Sequence, residues 1–329
     1  MARVLAITLN PALDLSIALD SLAAGQVQRT RTTQTTPAGK GNNVARVLAS
    51  LGHDVTVSGF LGVDNAVAFE CAFANWGVQD DFIRVAGETR TNVKLSEADG
   101  RVTDINAAGA PITPDDWQQL NNRLDALLAV GTDAVVIAGS LPPGVAPEQL
   151  GQLVTWLRRQ DVAVWLDTSG DALAAAVTAV PTAIKPNDQE LAGLLGHDIN
   201  DRGACQLGAA GLLARGVTHV FVSRGADGVL WCTHNDPGVT CLSARPPAVD
   251  VVSTVCAGDT LLAGLLHGQL AGWEPQRTLR FATALSADAV QRIGVGRADG
   301  PGFAALCEQV TLETRHLDLP KTPDAHAHH

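Results

Sequence analysis

The chain has 329 residues, 46% of them hydrophobic, with 32 glycines, 16 prolines and a formal net charge of −11. This length and composition predict one large α/β domain with many tight turns, and the negative charge argues against nucleic acid or an acidic membrane surface as the main partner. The sequence has no apolar run long enough for a membrane span and no basic-then-apolar leader, so we expect a cytoplasmic protein. The six cysteines form no C-x-x-C pair, and we expect reduced thiols.

Apolar runs bounded by turn residues predict alternating strands and helices along most of the chain. The first part gives strand 3–9, a helix opening at 37–43, strand 54–60 and helix 66–76. The regular part that follows gives helix 114–129, strand 133–138, helix 147–160, strand 162–166, helix 171–178, strand 182–185, helix 202–215, strand 218–223, strands near 228–233 and 239–243, and helices 259–271 and 275–291. Such alternation predicts a doubly wound, mostly parallel sheet flanked by helices.

Two segments break this alternation. Residues 13–36 are polar and rich in threonine, and residues 88–106 contain two short alternating strands joined by a hairpin signal. Together they predict a small β-sheet lid outside the core. The expected domains are a core of residues 1–12, 37–87 and 107–315, the lid of residues 13–36 and 88–106, and a disordered C-terminal tail of residues 316–329.

Cys256-Ala257-Gly258-Asp259 combines small residues and a carboxylate with the start of an apolar, helix-compatible run. The unpaired N–H groups of a first helical turn form an anion site. Asp259 could accept a proton from a group held beside that anion, which is the minimum equipment for moving a phosphoryl group onto a hydroxyl. The alternative, on these residues alone, is an ordinary helix start that Asp259 caps.

Small and polar residues follow five of the predicted strands. They are Asn10-Pro11, Gly139-Ser140-Leu141-Pro142-Pro143-Gly144, Asp167-Thr168-Ser169, Lys185-Pro186-Asn187 and Ser223-Arg224-Gly225-Ala226-Asp227-Gly228. Ligands of open α/β sheets bind beyond the carboxyl ends of the strands. Five such ends along one edge therefore predict a binding site there.

The second lid segment carries a separate signal for an anion. Arg90, Asn92 and Lys94 alternate with other residues, so a strand would turn all three to one face. Two cations and an amide on one face suit a phosphate or carboxylate ligand, whereas the alternative is the solvated face of an edge sheet. Arg29 and Arg31 share a face in the same way and carry the same ambiguity.

Several other chemistries lack their motifs. The turn Gly39-Lys40-Gly41 places a cation at a helix N-terminus, but it departs from the G-x-x-x-x-G-K-[ST] phosphate loop, and no G-x-G-x-x-G fingerprint is present. No G-x-S-x-G elbow supports a serine hydrolase, and no H-E-x-x-H or Cys/His cluster supports zinc.

Together the motifs resemble those of the ribokinase/PfkB sugar-kinase family over almost the whole chain. The matching stretches are Thr8–Asp14, Ala38–Ala45, Thr91–Leu95, Gly139–Gly144, Lys185–Asn187 and Val251–Thr254. The resemblance implies a ribokinase-like fold, a homodimer built through the lid, and ATP- and Mg²⁺-dependent phosphorylation of a phosphosugar. The substrate it implies is fructose 1-phosphate, with tagatose 6-phosphate and fructose 6-phosphate as alternatives. A non-catalytic phosphosugar-binding regulator is the alternative of another class.

The resemblance also implies roles for individual residues. Asp259 is the expected base, with the amides of Cys256, Ala257 and Gly258 as an anion hole. The residues expected to bind the substrate are Asp14, Gly39, Lys40, Asn43, Arg90, Asn92, Lys94, Ser140 and, reaching a neighbouring subunit's site, Arg29. The residues expected to bind the nucleotide are Lys185, Asn187, Ser223, Arg224, Gly225, Ala226, Asp227, Gly228 and Thr254. Glu190 is expected to organise Mg²⁺ through water.

The sequence departs from the family pattern at three positions. Cys256 stands where a glycine is usual, Asn42 replaces a commonly aliphatic residue, and Gln189 stands where some relatives have a lysine. We expect the anion hole to survive if residue 256 has a negative φ, whereas a positive φ would cost about 1–2 kcal/mol. We also hypothesise that the Cys256 thiol, beside a helix N-terminus, has a lowered pKa and reacts readily; the alternative is a small buried hydrophobe.

Overall fold

The computed structural model describes residues 1–235 and 238–317. Its α-helices are α1 (Lys40–Ser50), α2 (Val67–Trp76), α3 (Pro114–Ala129), α4 (Pro147–Arg159), α5 (Gly170–Thr178), α6 (Asp188–Leu195), α7 (Arg202–Ala214), α8 (Ala257–Leu270), α9 (Pro275–Val290) and α10 (Phe303–Gln309). Its strands are β1 (Arg3–Thr8), β2 (Ala12–Leu19), β3 (Thr32–Ala38), β4 (Asp54–Gly62), β5 (Gln79–Asp80), β6 (Ile83–Val85), β7 (Thr91–Glu97), β8 (Val102–Ile105), β9 (Ala134–Ala138), β10 (Ala163–Asp167), β11 (Ala183–Ile184), β12 (His219–Ser223), β13 (Val229–Asn235), β14 (Gly238–Arg245) and β15 (Thr311–Leu317). Within these residues, no helix is long and apolar enough to cross a bilayer.

A large central sheet forms the middle layer of the molecule. Its strand order is β15-β14-β13-β12-β11-β10-β9-β1-β4-β5, and β6 also pairs with β4. The strands from β12 to β5 pair in parallel, and β13, β14 and β15 extend them as an antiparallel edge. Apolar side chains fill both faces, since α1, α2, α8, α9 and α10 cover one and α3 to α7 cover the other. The predicted doubly wound fold is confirmed.

A second sheet, which we call the lid, has the order β3-β2-β7-β8. Its central strands β2 and β7 run parallel, a pairing that sets Asp14 beside Asn92 and Ser16 beside Lys94. Because side chains alternate along a strand, these four lie on one face of the lid. The separate small sheet predicted from residues 13–36 and 88–106 is therefore present.

Most predicted elements agree with the structure within a few residues, and α3 covers the predicted 114–129. Five elements were not predicted from the sequence and are short or lie at the sheet's edge: β5, β6, α6, α10 and β15. Strand β15 pairs with β14 and runs to Leu317, so the first two residues of the predicted disordered tail belong to the sheet. The rest of that tail, residues 318–329, lies outside the described residues.

Two of the cysteines form a disulfide. Cys232 in β13 and Cys241 in β14 are direct cross-strand partners with Cα atoms 4.2 Å apart. The expectation that every cysteine is reduced is therefore wrong for this pair. It rested on the absence of a C-x-x-C motif, whereas a hairpin brings together residues that are nine apart in the sequence.

Candidate active site

A cleft of about 1010 Å³ lies at the carboxyl ends of the central parallel strands and is lined on one side by the lid. Its position agrees with the one predicted from the strand ends. The predicted site residues that line it are Asp14, Gly39, Lys40, Asn43, Arg90, Asn92, Lys94, Ser140, Lys185, Asn187, Glu190, Ser223, Thr254, Cys256, Gly258 and Asp259. The structure thus brings together residues from both sheets and from the start of α8.

The remaining predicted residues do not line this cleft, and they are Ala257, Arg29 and Arg224–Gly228. Arg29 is exposed in the loop between β2 and β3. The turn Arg224–Gly228 follows Ser223, and two of its residues line a separate hollow of about 410 Å³. Gly228 has φ 94, and a Cβ there would come within 1.9 Å of the carbonyl oxygen of Ala244, so this glycine closes the turn against β14.

Asp259 lies buried in the first turn of α8. Its Oδ2 accepts a hydrogen bond from Nδ2 of Asn43 at 2.7 Å. Cys256 is the N-cap residue, and the first turn of α8 has no side-chain cap. The Asp259 carboxylate therefore does not cap the helix, contrary to the simpler interpretation of its position, and it stays available to a group in the cleft.

The environment of Asp259 tunes its proton affinity. The pKa of this carboxyl is raised to about 6. Burial is the largest cause and the nearby Asp167 adds to it, whereas the hydrogen bond from Asn43 and the charges of Lys40 and Lys185 oppose the shift. At pH 7 about nine-tenths of these groups still carry the charge. A carboxylate with a pKa near the working pH suits a general base.

This pKa predicts an acid limb in the pH dependence of turnover. Since the base must be ionised, we expect kcat/KM to fall below an apparent pKa of about 6 and to be about tenfold below its plateau at about pH 5. Initial rates measured from about pH 5 to about pH 8.5 test this.

The Asn43→Ala variant separates this limb from titration of a substrate phosphate. Because the Asn43 hydrogen bond lowers the pKa of Asp259, its removal should move the limb to higher pH. A limb that stays in place would assign the titration to the substrate instead.

Cys256 adopts the left-handed conformation, with φ 67. The fold keeps the backbone that glycine favours, so of the two cases considered the positive φ applies, and the residue is strained. The pKa of the thiol is raised to about 12, chiefly by burial, with contributions from the neighbouring Asp259 and Asp14. The hypothesised lowering of this pKa is therefore wrong, and the thiol stays protonated at neutral pH.

The strain at residue 256 predicts a difference between two small replacements. Both Cys256→Gly and Cys256→Ala remove the thiol, but only glycine relieves the positive φ. We expect the glycine variant to be more stable than the alanine variant by about 1 kcal/mol in the free energy of unfolding, measured by denaturant titration. Equal stability of the two variants would show that the left-handed backbone costs nothing here.

Arg90 directly precedes β7 and lines the cleft on its lid side. Its guanidinium donates to the carbonyl oxygens of Ala107 at 2.7 Å, Asn10 at 3.0 Å and Pro11 at 3.3 Å, and to Oγ of Ser140 at 3.3 Å. Among residues 1–235 and 238–317, no carboxylate lies within ion-pair distance of it. Arg90 is thus an oriented, half-buried positive charge without a counter-ion.

Lys94 differs from Arg90 in this respect. Its Nζ lies 3.5 Å from Asp14 and 3.7 Å from Asp104. The Nδ2 of Asn92 donates to the same Asp14 carboxylate at 3.2 Å. The three predicted residues do share a face, but Lys94 and Asn92 orient Asp14 whereas Arg90 faces the cleft with its charge uncompensated.

Asp167 is a residue of the cleft that the sequence analysis noted only as part of a strand end and did not predict to be functional. It ends β10, and its carboxylate contacts Lys40 and Lys185 at 3.1 Å each. A polar residue at the carboxyl end of a buried strand was the available signal. Its two cationic partners come from distant parts of the chain, so they could not be identified without the fold.

Another part of the cleft is built on the start of helix α6. Asn187 caps α6 by accepting from the N–H of Glu190 at 2.8 Å, and Glu190 accepts from the N–H of Asn187 at 2.9 Å. This reciprocal capping box fixes Glu190 while leaving its second oxygen uncommitted. Across residues 1–235 and 238–317, no group of three or more His, Cys, Asp or Glu side chains could hold a metal ion.

Comparison with known proteins agrees with this geometry. Residues 5–299 match the pattern of the pfkB family carbohydrate kinases. The chain belongs to this family. It is 45% identical over 310 residues to 1-phosphofructokinase of Vibrio cholerae, covering 94% of this chain and 96% of the relative. It is 43% identical over 312 residues to 1-phosphofructokinase of Escherichia coli K12, covering 94% and 98%.

Solved structures give the same family fold. The chain superposes on phosphofructokinase-2 of Escherichia coli in complex with potassium with a TM-score of 0.85 and 27% identity, covering 94% of this chain and 99% of the other. A possible 1-phosphofructokinase of Thermotoga maritima gives a TM-score of 0.82 and 25% identity, covering 95% and 99%. The ribokinase-like architecture and the carbohydrate kinase class are therefore both confirmed.

Two departures from the family pattern are explained by their positions in this pfkB family fold. Asn42 is fully buried, where its Nδ2 donates to the carbonyl of Ala38 and its Oδ1 accepts from the Thr8 hydroxyl. It ties the end of β3 to β1 and does not line the cleft. Gln189 is exposed on α6, one residue before Glu190.

Proposed function

We propose that this chain transfers the γ-phosphoryl group of ATP to fructose 1-phosphate, giving fructose 1,6-bisphosphate and ADP. One observation carries the proposal. A single cleft holds Arg90, whose positive charge has no carboxylate partner among the described residues, and the carboxylate of Asp259 at a helix N-terminus. We call the part of the cleft around Arg90 its sugar end. The names of the curated relatives support the choice of sugar.

The unpaired charge of Arg90 favours a substrate that already carries a phosphate. A guanidinium offers planar donors that match phosphate oxygens, and its contacts with backbone carbonyls hold it in place before the substrate arrives. Ser140 adds a hydroxyl beside it. An unphosphorylated sugar would leave this half-buried charge without a partner.

The residues of the nucleotide end suit ATP with Mg²⁺. Lys185, Asn187, Ser223 and Thr254 line that end of the cleft and supply a cation and polar groups for phosphates. Mg²⁺ is commonly held by one or two carboxylates together with substrate phosphates, and Glu190 offers one such carboxylate. When bound, Mg²⁺ neutralises charge on the phosphates.

The chain's own residues then have defined tasks. Asp259 orients the attacking hydroxyl of the sugar and accepts its proton. The N–H of Gly258 at the start of α8 faces developing negative charge, whereas the N–H of Ala257 donates to the carbonyl of Thr254 at 3.4 Å. Because the phosphoryl-transfer transition state is loose, positioning and charge stabilisation contribute more than base strength.

A coupled ADP-release assay with purified protein tests the function. We expect the highest kcat/KM with fructose 1-phosphate, compared with tagatose 6-phosphate and fructose 6-phosphate. Fructose 6-phosphate is the leading competitor, because a structurally similar phosphofructokinase-2 of Escherichia coli was solved in complex with it, at 26% identity and a TM-score of 0.84. Binding of a phosphosugar without ADP release would instead indicate the non-catalytic regulator.

We also propose that two copies of the chain pair through the outer face of the lid. Leu15, Ile17, Val93 and Leu95 alternate with the residues that face the cleft, and β8 adds the exposed Ile105 beside them. None of these side chains belongs to the two core clusters of the described chain. An apolar sheet face of this kind favours a self-complementary partner, and Arg29 at the edge of the lid is the candidate to reach the partner's site.

One strand of the lid provides a matched pair of variants for this dimer. Ile105 and Val102 are both 56% exposed in β8 but lie on opposite faces. We expect Ile105→Asp to shift the protein to monomer in light scattering, because a buried charge would lack a partner, while Val102→Asp stays dimeric. Identical behaviour of the two variants would contradict an interface on the outer face.

A further inference from the structure

Asp167 is a buried carboxylate that the proposed chemistry does not use. Its side chain is 1% exposed, and it lies between the ammonium groups of Lys40 and Lys185, each 3.1 Å away. Burying a charged cluster costs several kcal/mol of desolvation, and apolar residues of similar volume are often as stable. A charged bridge at the floor of a binding cleft therefore calls for a functional reason.

The two lysines differ in how far their side chains are exposed. Lys185 follows β11 and its side chain is 5% exposed, whereas Lys40 begins α1 and its side chain is 42% exposed. Burial lowers the pKa of Lys40, but Asp167 and Asp259 outweigh it, so the pKa lies above its ordinary value and the group is charged. One ammonium group is thus fixed, and the other is open to the cleft.

The two buried carboxylates of the cleft have opposite environments. Burial would raise the pKa of Asp167, but Lys185 and Lys40 outweigh it and hold the pKa below its usual value. At Asp259 burial and the charge of Asp167 outweigh the two lysines, so the pKa of that carboxyl is raised. When the environments of two neighbouring carboxyls push their pKa values apart, the two groups can take different roles. Asp259 can exchange a proton near neutral pH, whereas Asp167 stays an anion.

We propose that Asp167 is a positioning residue for phosphoryl transfer. It holds the ammonium groups of Lys40 and Lys185 side by side, where the phosphoryl group passes from nucleotide to sugar. This inference rests on the proposed kinase function. The charges of the two lysines and the two aspartates balance one another. The more exposed Lys40 is free to move to a phosphoryl oxygen while Lys185 keeps its place.

The Asp167→Asn variant removes the charge while keeping the size of the side chain. We expect kcat to fall about 10²-fold, the cost of misplacing charged groups by about 1 Å. The KM for ATP should not rise, because two ammonium groups without their carboxylate attract an anionic nucleotide at least as strongly. A purely structural role predicts the opposite, a loosened site with a raised KM.

Two further variants sharpen the experiment. If Asp167 acts through the lysines, adding Lys40→Met to Asp167→Asn should cost far less than Lys40→Met costs alone. Asp81→Asn is the matched control, since Asp81 is 13% exposed and ion-paired to Arg123 at 2.6 Å but does not line the cleft. We expect it to leave kcat and the KM for ATP unchanged.

The outcomes that overturn the inference alone are separate from those that overturn the kinase function. A kcat within about twofold of wild type in Asp167→Asn, or fully additive effects with Lys40→Met, contradicts positioning. If the asparagine variant does not fold, Asp167→Glu keeps the charge but displaces the ammonium groups, and a normal kcat there is equally contradictory. If the wild type turns over none of the phosphosugars, the kinase proposal fails and this inference fails with it. A wild type that turns over fructose 1-phosphate, beside an Asp167→Asn variant with normal kcat, overturns the inference alone.

Discussion

Replacing Asp259 by asparagine is expected to lower kcat by about 10²–10⁴-fold, the usual range for the loss of a general base. The amide keeps the shape of the carboxylate but cannot accept a proton from the sugar hydroxyl. Asn43 can still lie beside position 259, and the backbone N–H groups of α8 are unchanged. Both KM values should therefore stay within a few fold of wild type, a change confined to the transition state.

Steady-state kinetics and pH dependence together test this assignment. The wild type is expected to show an acid limb near the Asp259 pKa of about 6. The residual activity of Asp259→Asn should lack this limb. Removal of a buried carboxylate could also unfold the protein, so the free energy of unfolding is measured in parallel. Near-normal turnover in a folded variant would show that Asp259 is not the base.

The sequence predicted the parts of the fold that depend on local pattern. Continuous apolar strands such as β9, with every residue buried, and capped amphipathic helices such as α3 carry their signal within a few residues. The elements that it missed draw their stability from neighbours. Strand β15 is mostly exposed and is defined by pairing with β14, and α6 has only eight residues beginning at a capping box.

The candidate site likewise has residues that short motifs indicate and contacts that only the fold creates. Asp259, Arg90 and the strand-end residues could be identified because their chemistry and position stand in short motifs. The Asp167 contacts with Lys40 and Lys185 join three segments, so no spacing in the chain reveals them. The pKa values depend on burial as well as on neighbours. For that reason the expected low pKa of the Cys256 thiol was wrong.

Replacing Arg90 by alanine is expected to lower kcat/KM for fructose 1-phosphate by about 10²–10³-fold, equivalent to about 3–4 kcal/mol, mainly through KM. Arg90 is a half-buried charge that lines the cleft without a carboxylate partner among the described residues, and the carbonyls of Ala107 and Asn10 hold it in place for the substrate's phosphate. Arg90→Lys keeps the charge but loses the planar fork, so an intermediate loss is expected. The KM for ATP should change little, because Arg90 is not among the residues proposed to bind the nucleotide.

Unphosphorylated fructose separates the loss of this contact from a general loosening of the lid. Because fructose has no phosphate for Arg90 to grip, its low turnover should be the same in wild type and Arg90→Ala. Arg101→Ala is the matched control, since Arg101 is a lid arginine paired to Glu97 at 2.9 Å and outside the cleft; its KM should equal that of wild type. If Arg90→Ala lowered turnover of fructose and fructose 1-phosphate by the same factor, Arg90 would support the lid through the carbonyls of Asn10, Pro11 and Ala107 and would not recognise the substrate's phosphate.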